Sequence, residues 1–518
     1  MLALSSAKYC NYSILIFLLL ITHLSSTLEA LPLQHNIERF DINEFGIFED
    51  HSFIPTFIEP QPEQKKIKNR DSTSYFFTQP IDHNDQSQGQ FNQRYFVNST
   101  FYKPGGPVFL YVGGESAIMT STVEYSEASE LAASLNGFLV IAEHRYHGES
   151  LPNIPNMKSE NLKFLNTEQA LQDFANFIIN APSSSSSPLN VISKDSKWIS
   201  IGGSYGGNLA AWLREKFPNL IFAAYASSAP VKAELNFFQY DQAIANRLPC
   251  RDLVGESIEY IDSILTSGNR SAIDDLKKQF GLDAIQDDKD FASALNDPFI
   301  PMVQYYFPPT SSSEQDSIKM FCDAFTNSPD QSPKGLTAVY ANGMKYFLQI
   351  QGYTNTDKIL KVYATNKLST DLGENQDETA WMWQYCNEFG YYQTAPQPPS
   401  LRLRSILIDA DYYQSRCNFL WPDIPNSPDV DRINNAYGST NAIISRVIYV
   451  NGDGDPWFPL TVSSNDANRK STPNTPILVV KGGAHVTDLR PPTSVDWDSL
   501  KQARSDARNY LKTWLNIN

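Results

Sequence analysis

Gly202-Gly203-Ser204-Tyr205-Gly206-Gly207 places one serine hydroxyl between two pairs of glycines. The motif follows an apolar run, Trp198 to Ile201, and precedes a helix-like stretch from Asn208 to Phe217. In that setting G-x-S-x-G predicts a sharp strand-to-helix turn that presents the serine as a nucleophile. Glycines two positions to either side leave room for the backbone to pass close by. The next amide, that of Tyr205, would aim at a developing oxyanion. A merely Gly-rich turn is the competing reading, and the flanking strand and helix favour the nucleophile.

A serine hydroxyl needs a base within hydrogen-bond reach. His23, His35, His51, His83, His144 and His147 precede Ser204, and only His485 follows it. Serines on such turns work in the chain order Ser, then Asp or Glu, then His, which selects His485. It stands in Gly482-Gly483-Ala484-His485, just after the apolar run Ile477 to Val480. The acid should end the preceding strand, in Asn451-Gly452-Asp453-Gly454-Asp455-Pro456-Trp457. Spacing does not choose between Asp453 and Asp455. A calcium-type acidic turn is disfavoured, because no downstream glutamate completes a ligand set. Gly113-Gly114-Glu115, after Val108 to Val112, fits the loop that supplies a second oxyanion donor. Gly114 is the candidate donor and Glu115 a candidate substrate contact. Glu143 to Ser150 carries His144 and His147 without a third ligand motif, which reads as a buried polar cluster. Neither a metal nor a cofactor is expected.

The elements that must position these groups are legible as period and composition. Tyr75 to Gln79 and Gln90 to Val97 flank a turn-rich segment and read as a hairpin. Val108 to Val112, Phe138 to Ala142 and Trp198 to Ile201 are continuously apolar, as in strands buried on both faces. Thr167 to Ile179 carries a helical apolar stripe, and the Ser183 to Ser187 run reads as an exposed loop. Strand–helix alternation predicts an α/β fold with a doubly wound, mostly parallel sheet. Residues 231–400 lose the alternation, turn helix-like and hold three of the cysteines. Strand signals resume at Val447 to Val450 and Ile477 to Val480, and a last helix runs from about Trp497 to Leu515. The expected architecture is of the α/β-hydrolase type with an inserted, mainly helical cap. Its parts would be 71–230, the insertion at 231–400, and 401–518.

With 518 residues, 41% of them hydrophobic, the chain can bury a large core. Its 41 basic and 57 acidic residues give a net charge of −16, which argues against nucleic acid or anionic membranes as partners. Residues 1–30 read as a signal peptide: Lys8 precedes the short apolar run Ser13 to Ile21, and small polar residues follow. Residues 31–70 read as a propeptide or loosely held arm. A secretory route makes Cys250, Cys322, Cys386 and Cys417 candidates for two disulfides, and spacing allows three connectivities. It also makes the sequons at Asn98 and Asn269 usable.

Taken together, these motifs resemble the serine peptidase family of lysosomal prolyl carboxypeptidase, dipeptidyl peptidase II and thymus-specific serine protease. The Ser204 turn, Ala142 to Ser150, Asn451 to Trp457, Gly483 to His485 with Asp488 to Arg490, and Gln384 to Tyr391 all match. The likeness covers nearly everything from Tyr75 onward. It implies Asp455 as the acid, a helical domain capping the site, and exopeptidase action, commonly after proline. It further implies a Cys386–Cys417 pair with Cys250–Cys322, Trp457 lining a proline pocket, and residence in acidic vesicles or outside the cell. Ser116, Val486 and Phe458-Pro459-Leu460 depart from the common pattern, the last two towards the thymus-specific branch. Cleavage from the N-terminus and from the C-terminus both stay open, as does a homodimer. Peptides are the expected substrates. An esterase or lipase of the same fold is the first alternative, separable by ester against peptide substrates. A silent hydrolase fold used for binding is the second; it would normally have lost the nucleophile or base.

Overall fold

The computed structural model describes residues 73–309, 316–353, 355–373, 375–396 and 402–517. The expected signal peptide and the whole of the expected arm lie outside the described residues. Among the described residues ten strands occur in chain order: β1 (Tyr75–Pro80), β2 (Gln90–Asn98), β3 (Val108–Val112), β4 (Phe138–Ala142) and β5 (Trp198–Gly203) come first. β6 (Ile221–Ser227), β7 (Glu234–Asn236), β8 (Gly390–Tyr392), β9 (Val447–Gly452) and β10 (Ile477–Val480) follow. Eight form one sheet in the order β1-β2-β4-β3-β5-β6-β9-β10. The β1–β2 and β2–β4 pairs are antiparallel, and every pair from β4 to β10 is parallel.

Continuous hydrophobicity in the central strands has a direct packing cause. Val108, Leu110 and Val112 of β3 join Val140 of β4 in the core on one face, beneath Phe174, Phe177, Leu209 and Trp212. Phe109, Leu139, Ile141 and Ile199 point to the other face, where Leu131, Leu500 and Leu511 cover them. Successive side chains thus meet opposite helical layers, each fully buried aliphatic adding about 1.5–3 kcal/mol. The helices Thr167–Asn180 and Ser204–Lys216 form the first layer, and Glu127–Ser134 and Asp498–Leu515 the second.

β6 has no strand signal in its sequence. Its Ala223, Ala224 and Ala226 are poor strand formers. They are buried because the strand is central, with Ala224 and Ala226 packed beside Ala211, Val447 and Tyr449. Between β6 and β9 the chain is mostly helical, from Gln239–Arg247 to Val430–Tyr437, with β7 and β8 forming a small parallel pair. Helices Ala410–Leu420 and Val430–Tyr437 lie beyond position 400, and the sheet resumes only at Val447. Cys250 is bonded to Cys322 and Cys386 to Cys417, the pairs that the resemblance implied.

One buried ionic cluster links the helices of the second layer. Glu127 meets Arg504 at 3.5 Å and Arg508 at 3.1 Å. Burial outweighs the two guanidiniums and pushes its carboxyl from 4.5 up to about 7. A raised acid pKa means that the folded state holds the proton more tightly. Stability from this group is therefore complete below pH 4.5 and is lost as pH rises towards 7. The loss is on the order of 3 kcal/mol. Thermal unfolding followed across that window should show a falling Tm in the native chain and a flatter profile in Glu127→Gln. Identical slopes would refute this assignment.

Candidate active site

Ser204 is the first residue of the helix Ser204–Lys216, directly after β5. Its φ of 55° is left-handed, a conformation that costs a non-glycine residue on the order of 1–3 kcal/mol. Such a turn is only sterically open to glycine at its base. A Cβ on Gly202 would lie 2.0 Å from the carbonyl oxygen of Gly206. Tyr205 follows at the start of the helix, where backbone amides lack intrahelical acceptors and the dipole favours negative charge. Gly114 packs against the same turn, where a Cβ would sit 3.1 Å from the Gly206 nitrogen.

The Tyr205 side chain is buried and anchored on two sides. Gln384 Nε2 donates to its hydroxyl at 2.8 Å, and His144 Nε2 lies 3.2 Å away. His144 Nδ1 is 2.7 Å from the Arg145 carbonyl, which can only accept. Nδ1 therefore carries the proton, and Nε2 accepts from the tyrosine. Burial, with His147 beside it, holds this imidazole well below its ordinary pKa, so the neutral ring is favoured. His144 and His147 stack edge-on at 5.0 Å, and no metal-binding cluster occurs among the described residues.

Asp455 and His485 come from the loops after β9 and β10. His485 Nδ1 stands 2.8 Å from Asp455 Oδ2, and both residues are almost fully buried. Asp455 Oδ1 accepts the Trp457 amide at 2.9 Å, so both carboxylate oxygens are engaged. Asp453, the alternative that spacing left open, is exposed and accepts from the Gly482 amide at 2.7 Å. Val486 has a φ of 46°, unusual for a β-branched residue, and its amide donates to Ser228 Oγ at 2.9 Å.

A small cleft, open to solvent, is lined by Gly114, Glu115, Met119, Ser204, Tyr305 and His485, among others. Its β3 loop is pinned by carboxylates: Ala117 donates to Asp377 Oδ2 at 2.9 Å and Ile118 to Glu143 Oε1 at 3.0 Å. Asp377 Oδ1 also receives the Gly148 amide at 2.8 Å, so the insertion braces two loops of the sheet domain. Trp457 is not among the residues lining the cleft; its ring packs with Phe237, Tyr240 and Tyr391, 6.3 Å from the His485 ring. Of the sequons, Asn269 is exposed, whereas Asn98 is partly buried and donates its amide to Val123 O at 2.7 Å. Gln384 lies in a segment that carries the family resemblance, but its contact, like those of Asp377 and Gln304, has no sequence signature, because polar residues in helical stretches ordinarily face water. Gln304 alone left a trace, as an amide inside the largely apolar run from Phe299 to Tyr306.

An acidic side chain clasping an imidazole on the cleft that holds a strained serine can support acyl transfer. The sheet order and the glycine-flanked serine turn after its central strand make this chain an α/β-hydrolase. It belongs to the serine carboxypeptidase S28 family, whose profile it matches from residue 79 to 507. A Caenorhabditis elegans protein named as a serine protease is 34% identical over 469 residues, spanning 85% of this chain and 88% of its own. Serine protease vicPb of Bipolaris victoriae is 30% identical over 458 residues, with 80% and 83% covered. Human thymus-specific serine protease is 28% identical over 458 residues, with 84% and 85% covered. Family membership makes the chain a serine-type peptidase.

Proposed function

We propose that this peptidase is an exopeptidase that cuts next to proline through a Ser204–His485–Asp455 triad. The observation that carries the reading is the 2.8 Å His485–Asp455 contact on a cleft shared with Ser204. Because Nδ1 is committed to the carboxylate, Nε2 is left to take the serine proton. Ser204 Oγ then attacks the scissile carbonyl, and the oxyanion is received by the amides of Tyr205 and Gly114. Collapse releases the amine, protonated by His485 Nε2, and water hydrolyses the acyl-enzyme with the same imidazole as base. Restriction to chain ends is supported by the insertion, which contributes Tyr305 to the cleft. A place for proline is supported by the apolar lining of Ile118, Met119 and Val486, with Glu115 as the acidic contact. The two disulfides support a secretory route, ending outside the cell or in an acidic vesicle.

An X-Pro-amide fluorogen compared with an X-Pro-Phe peptide, each at pH 5 and pH 7, tests this directly. Cleavage of one but not the other assigns N- or C-terminal action, and the faster pH assigns the compartment. Ester hydrolysis with neither peptide cleaved would defeat the peptidase mechanism proposed here.

A further inference from the structure

We infer that Gln304, in the insertion, is a positioning residue that holds the Asp455–His485 pair through a closed ring of hydrogen bonds. The inference rests on the triad reading above. The ring runs through buried groups only, with Gln304 3%, Trp457 8%, Asp455 1% and His485 2% exposed. Trp457 Nε1 donates to Gln304 Oε1 at 3.0 Å. An indole N–H can only donate, which fixes the amide with its oxygen towards the tryptophan. The peptide N–H of Trp457 donates to Asp455 Oδ1 at 2.9 Å, and Asp455 Oδ2 meets His485 Nδ1 at 2.8 Å. The peptide N–H of His485 then returns to the Gln304 carbonyl at 2.8 Å. Tyr240 adds a second donor to Gln304 Oε1 at 2.6 Å.

Local backbone explains why this carbonyl is on offer. Ile300–Gln304 form a single π-helical turn, and the chain leaves it at Tyr305. The Gln304 carbonyl therefore lies at the open end of the turn, where no helical amide follows to claim it. One residue thus grips the base by its backbone and the acid by its side chain, the latter through Trp457. Removing either grip would leave a buried donor, the Trp457 indole N–H or the His485 peptide N–H, without its acceptor. Acid and base come from the sheet domain and the ring's fourth member from the insertion, so the insertion's seating is read out at the catalytic pair.

Gln304→Met keeps the volume and removes the side-chain acceptor. With the peptide substrate found above, kcat should fall about 10- to 100-fold, as for other groups that orient a reacting side chain, with KM within about threefold. Gln304→Glu, which restores the acceptor, should recover most of that loss. Trp457→Phe removes the donor from the other side of the same bond. Its effect and that of Gln304→Met should therefore not multiply in the double variant. Wild-type kcat in Gln304→Met, or fully multiplicative losses in the double variant, would overturn the ring. If the methionine variant does not fold, Trp457→Phe alone decides, because unchanged kcat there overturns the ring equally. Ser204→Ala run in parallel separates the two levels. Activity in that variant refutes the triad, whereas an inert Ser204→Ala beside an unimpaired Gln304→Met refutes the ring alone.

Discussion

Ser204→Ala is expected to lower kcat by about 10⁶ while leaving folding and substrate binding nearly intact. The serine occupies a left-handed turn locked by glycine-tight contacts, with the amides at the start of its helix beside it. Alanine meets the same backbone restriction, so the turn and the cleft should survive the change. What disappears is the hydroxyl that the proposed mechanism uses to form the acyl-enzyme. The residue left would be the catalysis that oriented binding and oxyanion donors supply without a nucleophile. Single-turnover measurements with whichever of the two peptide substrates the native enzyme cleaves check this, since the fast release phase should vanish with the steady-state rate. Turnover surviving within about a hundredfold of wild type would overturn the nucleophile assignment and the mechanism with it.

Asp455→Asn should cost about 10⁴ in kcat, although the side chain keeps its shape. Asp455 uses Oδ1 for the Trp457 amide and Oδ2 for His485 Nδ1. An asparagine that keeps its oxygen on Trp457 must turn its NH₂ towards the imidazole. The ring then moves its proton to Nε2, which can no longer act as the base that the proposed triad requires. Asp453→Asn is the matched comparison, because Asp453 braces Gly482 at the surface and touches neither reacting group. Near-native rates are expected there. Equal losses in both variants, or none in Asp455→Asn, would refute the choice of acid.

The parts of this molecule that the sequence made plain are those where one physical pressure acts alone. β3, β4 and β5 are buried on both faces, so every position is apolar and the strand is unmistakable. The serine turn was readable because close backbone contact admits only glycine; His485 stood out because no other imidazole follows the serine, and its part as base belongs to the proposed mechanism. β6 was not, because close packing asks for alanine where strand preference asks for branched side chains. The acid stayed ambiguous from spacing because Asp453 and Asp455 differ in burial and not in pattern. Asp377, Gln384 and Gln304 make their hydrogen bonds to the cleft loops across more than a hundred residues of chain. No local period records such contacts.

Asp377 reaches from the insertion to the Ala117 and Gly148 amides, on two loops of the sheet domain. Trimming the helical stretch away to make a minimal, more permissive enzyme would strip that carboxylate along with the obstruction. The two amides it caps would lose their acceptor, and the loop carrying Gly114 and Glu115 would lose its outer anchor. Engineering wider access in this scaffold therefore calls for substitutions on the cleft wall, with the stretch itself retained.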